Sequence, residues 1–292
     1  MDFLYQIIEI VISGLANGSV YAVMSVGLTL VYGVARVFNW AYGSFYTWAA
    51  YFAFYLFSLF AGMNYFLVIL GVALFMFIFG LLAERVAVRP LLARPDWQIT
   101  TMLTTLGLAL FLDNSVVAIF GPRTKTLPHL FEGHVSLGPL IISMRDIGVF
   151  LIAISVLVAL ELFLTKTRQG MVIRATSQDT MGAQIVGIPV KRIFSLTFAI
   201  SAVLAGISSI LLVTKYFMSP LGGWDILIKA FIIVAFGGLG SVRGTLYAAF
   251  ILGLVEAFVG WMVGFQWVMV IWFAVLISIL VIRPQGLSGK WA

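Results

Sequence analysis

Residues 147–214, IGVFLIAISVLVALELFLTKTRQGMVIRATSQDTMGAQIVGIPVKRIFSLTFAISAVLAGISSILLVT, contain two long apolar runs separated by a polar, basic segment. Each run, at 147–164 and 193–214, is close to the roughly 20 residues that a helix needs to cross the hydrocarbon core of a membrane. The segment 165–192 carries Lys166, Arg168, Arg174, Lys191 and Arg192. Charges of this number do not stay in hydrocarbon. The stretch therefore predicts two membrane-spanning helices joined by a loop in water.

The rest of the chain repeats this pattern. Hydrophobic residues make up 62% and charged residues 10% of the 292 residues, and the mean hydropathy is +1.13, which excludes an ordinary soluble globule. The apolar runs are continuous instead of alternating, which favours helices over barrel strands. We predict an all-α polytopic membrane protein, one domain over 1–292, with about eight or nine transmembrane helices. The further runs are 5–34, 42–61, 65–83, 99–120, 244–263 and 266–282, with a shorter one at 226–236.

Basic residues in short loops predict the orientation, because such residues are in excess on the cytoplasmic side. One side collects twelve of the seventeen lysines and arginines, including the loop 165–192 and the C-terminal tail. With nine passes the N-terminus is outside and the C-terminus is cytoplasmic; a re-entrant hairpin or an extra early crossing would move only the N-terminus. The net charge of +6 is then a topology signal and does not indicate nucleic-acid binding.

The cytoplasmic loop 165–192 has the signals of one short helix. Thr176 and Ser177 are N-cap candidates, Asp179 places a carboxylate in the first turn, and Gly187 followed by Pro189 ends the helix. The predicted helix, Gln178 to Val186, is about 13 Å long at 1.5 Å per residue. It is too short to cross a membrane, so it either lies on lipid, folds back on the bundle, docks into a partner, or is simply a solvated connection.

Five motifs follow one another along nearly the whole chain. They are GLANGSVYAVMSVGLTLVYGVARVFNWAYGSFYTWAAY at 14–51, ERVAVRPL at 84–91, TRQGMVIRATSQDTMGAQIVGIPVKRI at 167–193, KAFIIVAFGGLGSVRGTLYAAFILGLVEA at 229–257 and IRPQGLSGK at 282–290. In this order they resemble the membrane permeases of branched-chain amino acid ABC transporters. Tyr42 stands where the family pattern leads us to expect a histidine.

The resemblance implies an importer of the prokaryotic plasma (inner) membrane in which this chain forms half of the translocation pathway. Its partners would be a homologous permease or a second copy, two ATP-binding subunits inside and a solute-binding protein outside. ATP would be hydrolysed by the partners, and this chain would hold no cofactor. Branched-chain amino acids lead as substrates, with urea, amides and other amino acids as alternatives. The loop would couple to the ATPase through Arg174, Asp179, Ala183, Gly187 and Ile188.

Polar residues inside apolar runs need a reason, because a charge at mid-bilayer costs about 2.5–3.5 kcal/mol on insertion scales. Asp113, with Asn114, either faces a substrate pathway or pairs structurally with another helix. Glu256 either faces the pathway or forms an ion pair with Lys229. Asn17 and Asn39 flank the first run and either bond across helices or contact the substrate.

Glycines and the external loop complete the predictions. Gly14, Gly18, Gly27 and Gly33 favour close helix packing over a break. The GGLGSVRG segment at 237–244 lacks both nucleotide-binding glycine patterns and predicts a tight turn between packed helices. The external loop 121–146 predicts a hairpin-like cap that could receive a binding protein, and its two histidines are expected to be exposed, not metal-bound.

Two other classes of function fit the sequence less well. A secondary transporter or channel would need embedded ion-coupling groups, for which Asp113 and Glu256 alone are thin support. An intramembrane enzyme would need clustered carboxylates or a nucleophile with its base. Both histidines lie in the external loop and the aspartates are scattered, so we predict that the chain is not an enzyme.

Overall fold

The computed structural model describes residues 2–60, 64–92, 94–128, 131, 133–137, 140–283 and 285–288. Almost all regular structure in these residues is helical, with one small hairpin of two strands. In chain order the elements are α1 (Asp2–Ala35), α2 (Tyr42–Leu59), α3 (Tyr65–Ala83), α4 (Trp97–Phe120), β1 (His134–Leu137), β2 (Leu140–Ser143), α5 (Met144–Lys166), α6 (Arg168–Gln178), α7 (Thr180–Ile185), α8 (Val190–Val213), α9 (Gly223–Gly237), α10 (Val242–Met262) and α11 (Val268–Ile282).

Within these ranges, seven helical segments are long and apolar enough to cross a membrane. They contain α1, α3, α4, α5, α8, α10 and α11. The all-α polytopic fold is confirmed, but the predicted count of eight or nine spans is not. Of the two remaining predicted spans, α2 has 18 residues that include several tyrosines, which lower its hydropathy. Helix α9 has only 15 residues, about 22 Å at 1.5 Å per residue.

The centre of the bundle is α8, which is surrounded by other helices and is the most completely buried span. It packs against α1, α2 and α3. Its inner positions are small residues, such as Ala199, Ala202 and Ala205, which let neighbouring backbones approach closely. Helices α4 and α11 lie at the periphery and expose large apolar side chains, as expected of surfaces that face lipid.

Helix α1 packs antiparallel on α10 through Gly14 and Gly18, as the sequence predicts, whereas an added Cβ at Gly33 would meet no atom closer than 3.7 Å. It is continuous from Asp2 to Ala35, so these glycines do not break it. A Cβ at Gly253 would lie 2.5 Å from the Cα of Gly18, and one at Gly14 would lie 3.1 Å from the Cβ of Ala257. Further along the same pair, the hydroxyls of Thr29 and Thr245 are 2.9 Å apart. Only residues without a side chain allow this approach.

The predicted turn at 237–244 joins α9 to α10. Gly238 and Gly240 have φ of +102° and +82°, a region that favours glycine. A Cβ at Gly237 would lie 2.5 Å from the backbone of Gly244, which confirms close packing of the two helix ends. The C-terminal segment also docks here, because the N–H of Leu287 donates to the carbonyl of Phe236 over 2.8 Å.

The ERVAVRPL motif continues α3 as a π-helix, Glu84–Val88, and a 3-10 turn, Arg89–Leu91. Glu84 is fully buried and accepts a hydrogen bond of 2.7 Å from the hydroxyl of Ser195 on α8. The guanidinium of Arg89 donates to the same hydroxyl over 2.6 Å and lies 3.4 Å from Glu84. These contacts fix the end of α3 against the start of α8.

The loop 121–146 contains the hairpin that the sequence predicts. Strands β1 and β2 are antiparallel, with His134 opposite Ser143. His134 is exposed, whereas His129 lies outside the described residues. Among the residues that are described, no group of three or more His, Cys, Asp or Glu side chains could hold a metal ion. The N–H of Ile141 donates to the carboxylate of Glu9 over 2.9 Å, which ties the hairpin to α1.

Replacing Gly253 by valine should separate α1 from α10, because the new side chain would overlap the backbone of Gly18. Overpacking of this kind costs about 1–3 kcal/mol, so the thermal unfolding temperature in detergent should fall by several degrees. The matched control is Gly107→Val on α4, where an added Cβ has no neighbour within 4 Å. Equal unfolding temperatures for the two variants would contradict the glycine contact.

Candidate functional site

A cavity of about 400 Å³ lies at the end of the bundle opposite α6 and α7. Side chains from α1, α2, the end of α8, α9, α10 and the start of α11 form its walls, together with the segment that follows α8. Its size is that of a small-molecule site. Its wall combines apolar side chains, such as Leu212, Ile226 and Val268, with ionisable and hydroxyl groups.

Three of these polar groups form one hydrogen-bonded cluster. The ammonium of Lys229 lies 2.9 Å and 3.0 Å from the two carboxylate oxygens of Glu256. The hydroxyl of Tyr21 donates to Glu256 over 2.8 Å and accepts from Lys229 over 3.0 Å. Since Glu256 is 4% exposed, its charge has left water and needs both partners.

Aromatic rings hold the lysine from the other side. The Lys229 nitrogen is 5.1 Å from the ring centre of Tyr21 and 5.2 Å from that of Trp272. These rings meet edge to face at 5.6 Å. Within this distance a ring face attracts a cation. The lysine is therefore positioned by a carboxylate, a hydroxyl and two π systems.

Asp225 adds a second carboxylate to the cavity wall. It lies four residues before Lys229 on α9, and therefore on the same helix face. Its side chain is exposed and has no ion pair within 4 Å among the described residues. The cavity thus offers a free carboxylate close to a held ammonium.

A second ionic network adjoins the cavity, one helical turn along α1. The ammonium of Lys215 contacts the carboxylate of Asp146 at 2.8 Å and donates to the side-chain oxygen of Asn17 over 2.7 Å. Burial lowers the pKa of Lys215, and the nearby charge of Asp146 opposes this shift. Burial also raises the pKa of the neighbouring Tyr216 to about 12. The network links α1, α5 and the segment after α8.

The predicted pathway residues have different surroundings. Glu256 lines the cavity, and it also makes the ion pair with Lys229 that the sequence left as its alternative. Asn17 adjoins the cavity. Asp113 is buried and accepts a 2.8 Å hydrogen bond from the Trp224 indole, which anchors α4 to α9.

The side chains of the remaining two pathway candidates form only local hydrogen bonds among the described residues. Asn39 accepts a hydrogen bond from the N–H of Ala41 over 3.1 Å in the α1–α2 loop. Asn114 donates to the carbonyl of Leu110 over 2.7 Å and is exposed on the bundle surface. Neither residue lines the cavity. Tyr42, at the position where histidine was expected, donates to the carbonyl of Met24 over 2.5 Å.

Several cavity residues were not singled out from the sequence. Tyr21, Tyr46 and Asp225 line the cavity, and Lys229 appeared only as a possible partner of Glu256. The sequence signal that could have identified them is a hydroxyl or a charge on the helix face that points into the bundle. That signal is weak alone, because tyrosines also occur where helices face the membrane interface.

The loop between α5 and α8 folds differently from the sequence prediction. In place of one helix from Gln178 to Val186, it forms α6 and α7, which meet at Asp179. Thr176 and Ser177 lie inside α6 and are not N-caps, because this helix begins at Arg168, with Thr167 as its cap. Asp179 is the N-cap of α7, not a first-turn residue, and accepts from the N–H groups of Met181 and Gly182 over 3.0 Å and 2.9 Å.

The end of α7 follows the prediction. Gly187 has a φ of +82°, and its N–H donates to the carbonyl of Gln184 while that of Ile188 donates to Ala183, each over 3.0 Å. This is a Schellman motif. Ala183 is buried beneath the helix. Of the predicted coupling residues, Asp179, Ala183, Gly187 and Ile188 therefore shape α7, and Arg174 is exposed on α6.

The outer face of α7 is both apolar and exposed. Met181 is 75%, Ile185 is 80% and Val186 is 75% exposed. Both ends of the helix are capped, so the face is presented by a fixed scaffold. Exposed, contiguous apolar side chains of this kind mark contact surfaces.

The fold and these two sites define a multi-pass membrane protein with a cavity lined by apolar and ionisable side chains near one end and a short helix with an exposed apolar face near the other. The family model described as "Branched-chain amino acid transport system / permease component" matches residues 10–280. The chain belongs to this family of transport permeases.

Curated relatives cover nearly the full chain. It is 32% identical to the high-affinity branched-chain amino acid transport system permease protein BraD of Pseudomonas aeruginosa, over 99% of this chain and 98% of BraD. It is 30% identical to LivH of Escherichia coli K12, over 99% and 97%. A probable LivH of Methanocaldococcus jannaschii is 26% identical over 91% and 87%.

The Lys229–Glu256 pair allows a sharp test of stability. Lys229→Met or Glu256→Leu alone leaves one charge unpaired inside the bundle, which should cost about 3–5 kcal/mol. The double variant removes both charges and should recover most of this loss. Thermal unfolding of the three variants in detergent measures the coupling. Additive destabilisation in the double variant would show that the pair does not act as a unit.

Proposed function

We propose that this chain is a permease subunit of an ATP-driven importer of branched-chain amino acids and forms half of its translocation pathway. The observation that carries the proposal is family membership along residues 10–280. Relatives in a bacterium and an archaeon have names that specify branched-chain amino acid transport. The chain itself hydrolyses nothing in this proposal, and it needs no cofactor of its own.

The proposed partners supply the three functions that this subunit does not provide by itself: energy, the other half of the pathway and delivery of the substrate. ATP-binding subunits supply the energy, a homologous permease or a second copy completes the pathway, and a solute-binding protein delivers the substrate. The external loop 121–146 is the surface proposed for the binding protein. The single domain 1–292 lies in the prokaryotic plasma membrane, and the C-terminus shares the cytoplasmic side with α6 and α7.

The exposed apolar face of α7 is the proposed contact with an ATP-binding subunit. A helix of six residues is short enough to insert as a whole into a groove on a partner. Its caps transmit movement to the bundle, because Asp179 connects it to α6 and Gly187 leads directly into the central helix α8. Arg174 on α6 extends the contact.

The cavity at the opposite end is the proposed contact with the amino acid. Asp225 would accept hydrogen bonds from the α-ammonium group of the amino acid, and the charge of Lys229 would attract its α-carboxylate. Leu212, Ile226 and Val268 would contact an aliphatic side chain. Movement of α8 or α9 would then change the access to this cavity, since the end of α8 and the start of α9 form part of its wall.

Ile185→Asp tests the coupling surface, because it places a charge in the apolar contact without changing either cap. We expect co-purification of the ATP-binding subunit with the tagged chain to fall at least about tenfold, the effect of roughly 1.4 kcal/mol. Gln169→Asp is the matched control, since it adds the same charge at an exposed position of α6. Unchanged recovery with Ile185→Asp would remove α7 from the interface.

Asp225→Asn tests the cavity, because it keeps the size of the side chain and removes the charge offered to the ammonium. A charged hydrogen bond contributes about 1.5–3 kcal/mol, so the KM for leucine uptake by the reconstituted complex should rise about tenfold or more. Asp96→Asn, the same change at an exposed aspartate outside the cavity wall, is the matched control. Equal KM values would exclude Asp225 from substrate binding.

A further inference from the structure

Two adjoining cavities form one groove along the outside of the bundle. The first, of about 460 Å³, lies between α5 and α10 and is lined mainly by apolar side chains, such as Val158 and Leu246. The second, of about 250 Å³, lies at the end of the bundle that carries α6. Glu161, Leu164, Val242 and Arg243 line both. We call this continuous depression the α5–α10 groove.

The apolar part of the groove has the depth of one membrane leaflet. Phe250, which lines it, is eight residues from the start of α10 at Val242. Ile154, on the facing helix, is twelve residues from the end of α5 at Lys166. At about 1.5 Å per residue these positions lie about 12–18 Å from the same membrane face. This is close to half of the roughly 30 Å hydrocarbon core.

The other end of the groove is polar and carries a positive charge. Among the described residues, the ionisable ones in its wall are Arg174, Arg243 and Glu161, so this end carries two guanidinium groups and one carboxylate. Ser177 and Ser241 add hydroxyl groups. Guanidinium groups bind phosphate through paired, charge-assisted hydrogen bonds. The net charge of this end complements one phosphate group.

Tyr247 supports the assignment of the polar end to the membrane surface. It lines the groove four residues after Arg243, and it is 65% exposed. Tyrosines are enriched at the level of the headgroups, where the ring contacts apolar chains and the hydroxyl contacts water. The groove therefore passes from acyl-chain depth to headgroup depth between Phe250 and Arg243.

We propose that the α5–α10 groove is a binding site for one anionic phospholipid. The acyl chains lie between α5 and α10, the phosphate contacts Arg174 and Arg243, and the headgroup hydroxyls donate to Glu161. The order of polarity along the groove and its charge both fit a monoanionic lipid such as phosphatidylglycerol. The site rests on contacts of this chain and not on the proposed transport function.

Bound lipid would connect the membrane to the coupling segment. Arg174 and Ser177 belong to α6, and α6 ends where α7 begins. The backbone of Ser177 also accepts a hydrogen bond of 3.1 Å from Arg36 at the end of α1. A phosphate held between α6 and α10 would therefore restrain the N-terminal end of α7, which follows directly on α6.

Native mass spectrometry of the purified full-length chain tests the site, with phosphatidylglycerol and phosphatidylcholine of identical acyl chains as probes. One phosphatidylglycerol per chain should be retained, at least about tenfold better than phosphatidylcholine. Arg174→Gln combined with Arg243→Gln should abolish this preference. Arg168→Gln, an exposed arginine of α6 outside the groove wall, is the matched control and should retain it.

The apolar half is tested separately with Val158→Trp, which fills the groove and leaves the arginines unchanged. Leu162→Trp, one turn further along α5 and outside the groove wall, is its control. Only Val158→Trp should lose phosphatidylglycerol. Equal retention of the two lipids, or of phosphatidylglycerol by all variants, would overturn the proposal. A third result would also overturn it: the chain retains no lipid, and Val158→Trp loses a second permease that otherwise co-purifies. The groove would then be a protein interface.

Discussion

The antiparallel contact between α1 and α10 is the interaction on which the other features depend. Gly18 and Gly253 allow the two backbones to meet, and this approach sets the spacing at both ends of the pair. At one end the Tyr21 hydroxyl reaches Glu256, because helical side chains lean toward the N-terminus of their helix. At the other end Thr29 bonds Thr245. Without the glycines, the cavity would lose one wall.

Membrane burial explains why the polar groups are arranged in closed clusters. Water cannot satisfy a charge in the hydrocarbon region, so Lys229 and Glu256 bond each other and Tyr21. Lys215, Asp146 and Asn17 form a similar cluster one turn away along α1. Both clusters lie near one end of the bundle, whereas α7 and the polar end of the α5–α10 groove lie at the other. Substrate contact and energy coupling would thus act on opposite ends of α8.

Much of the fold could be predicted because it depends on local signals. Continuous apolar runs located the long helices, Gly187 marked the end of α7, and the glycines of α1 indicated close packing. The break at Asp179 could not be predicted, because the same residue type serves as an N-cap and as a first-turn carboxylate. The predicted count of spans is not confirmed at α2 and α9, where tyrosines and a short helix give an ambiguous hydropathy.

The site was harder to predict because it depends on tertiary contacts. Glu256 and its pairing with Lys229 were among the sequence expectations, since opposite charges inside neighbouring helices have few other partners. Tyr21 and Asp225 had no comparable signal, because a hydroxyl or a carboxylate near a helix end fits many environments. Asp113 was an equally good candidate by sequence, yet the Trp224 indole satisfies it at the α4–α9 contact.

Leucine uptake into proteoliposomes tests whether this chain works as part of an ATP-driven importer. The vesicles contain the complex isolated through this chain, with its binding protein added outside and ATP enclosed. We expect uptake that requires ATP inside and that is absent when the chain is reconstituted alone. Equal uptake without ATP, or by the isolated chain, would instead identify the protein as a transporter that works without an ATPase.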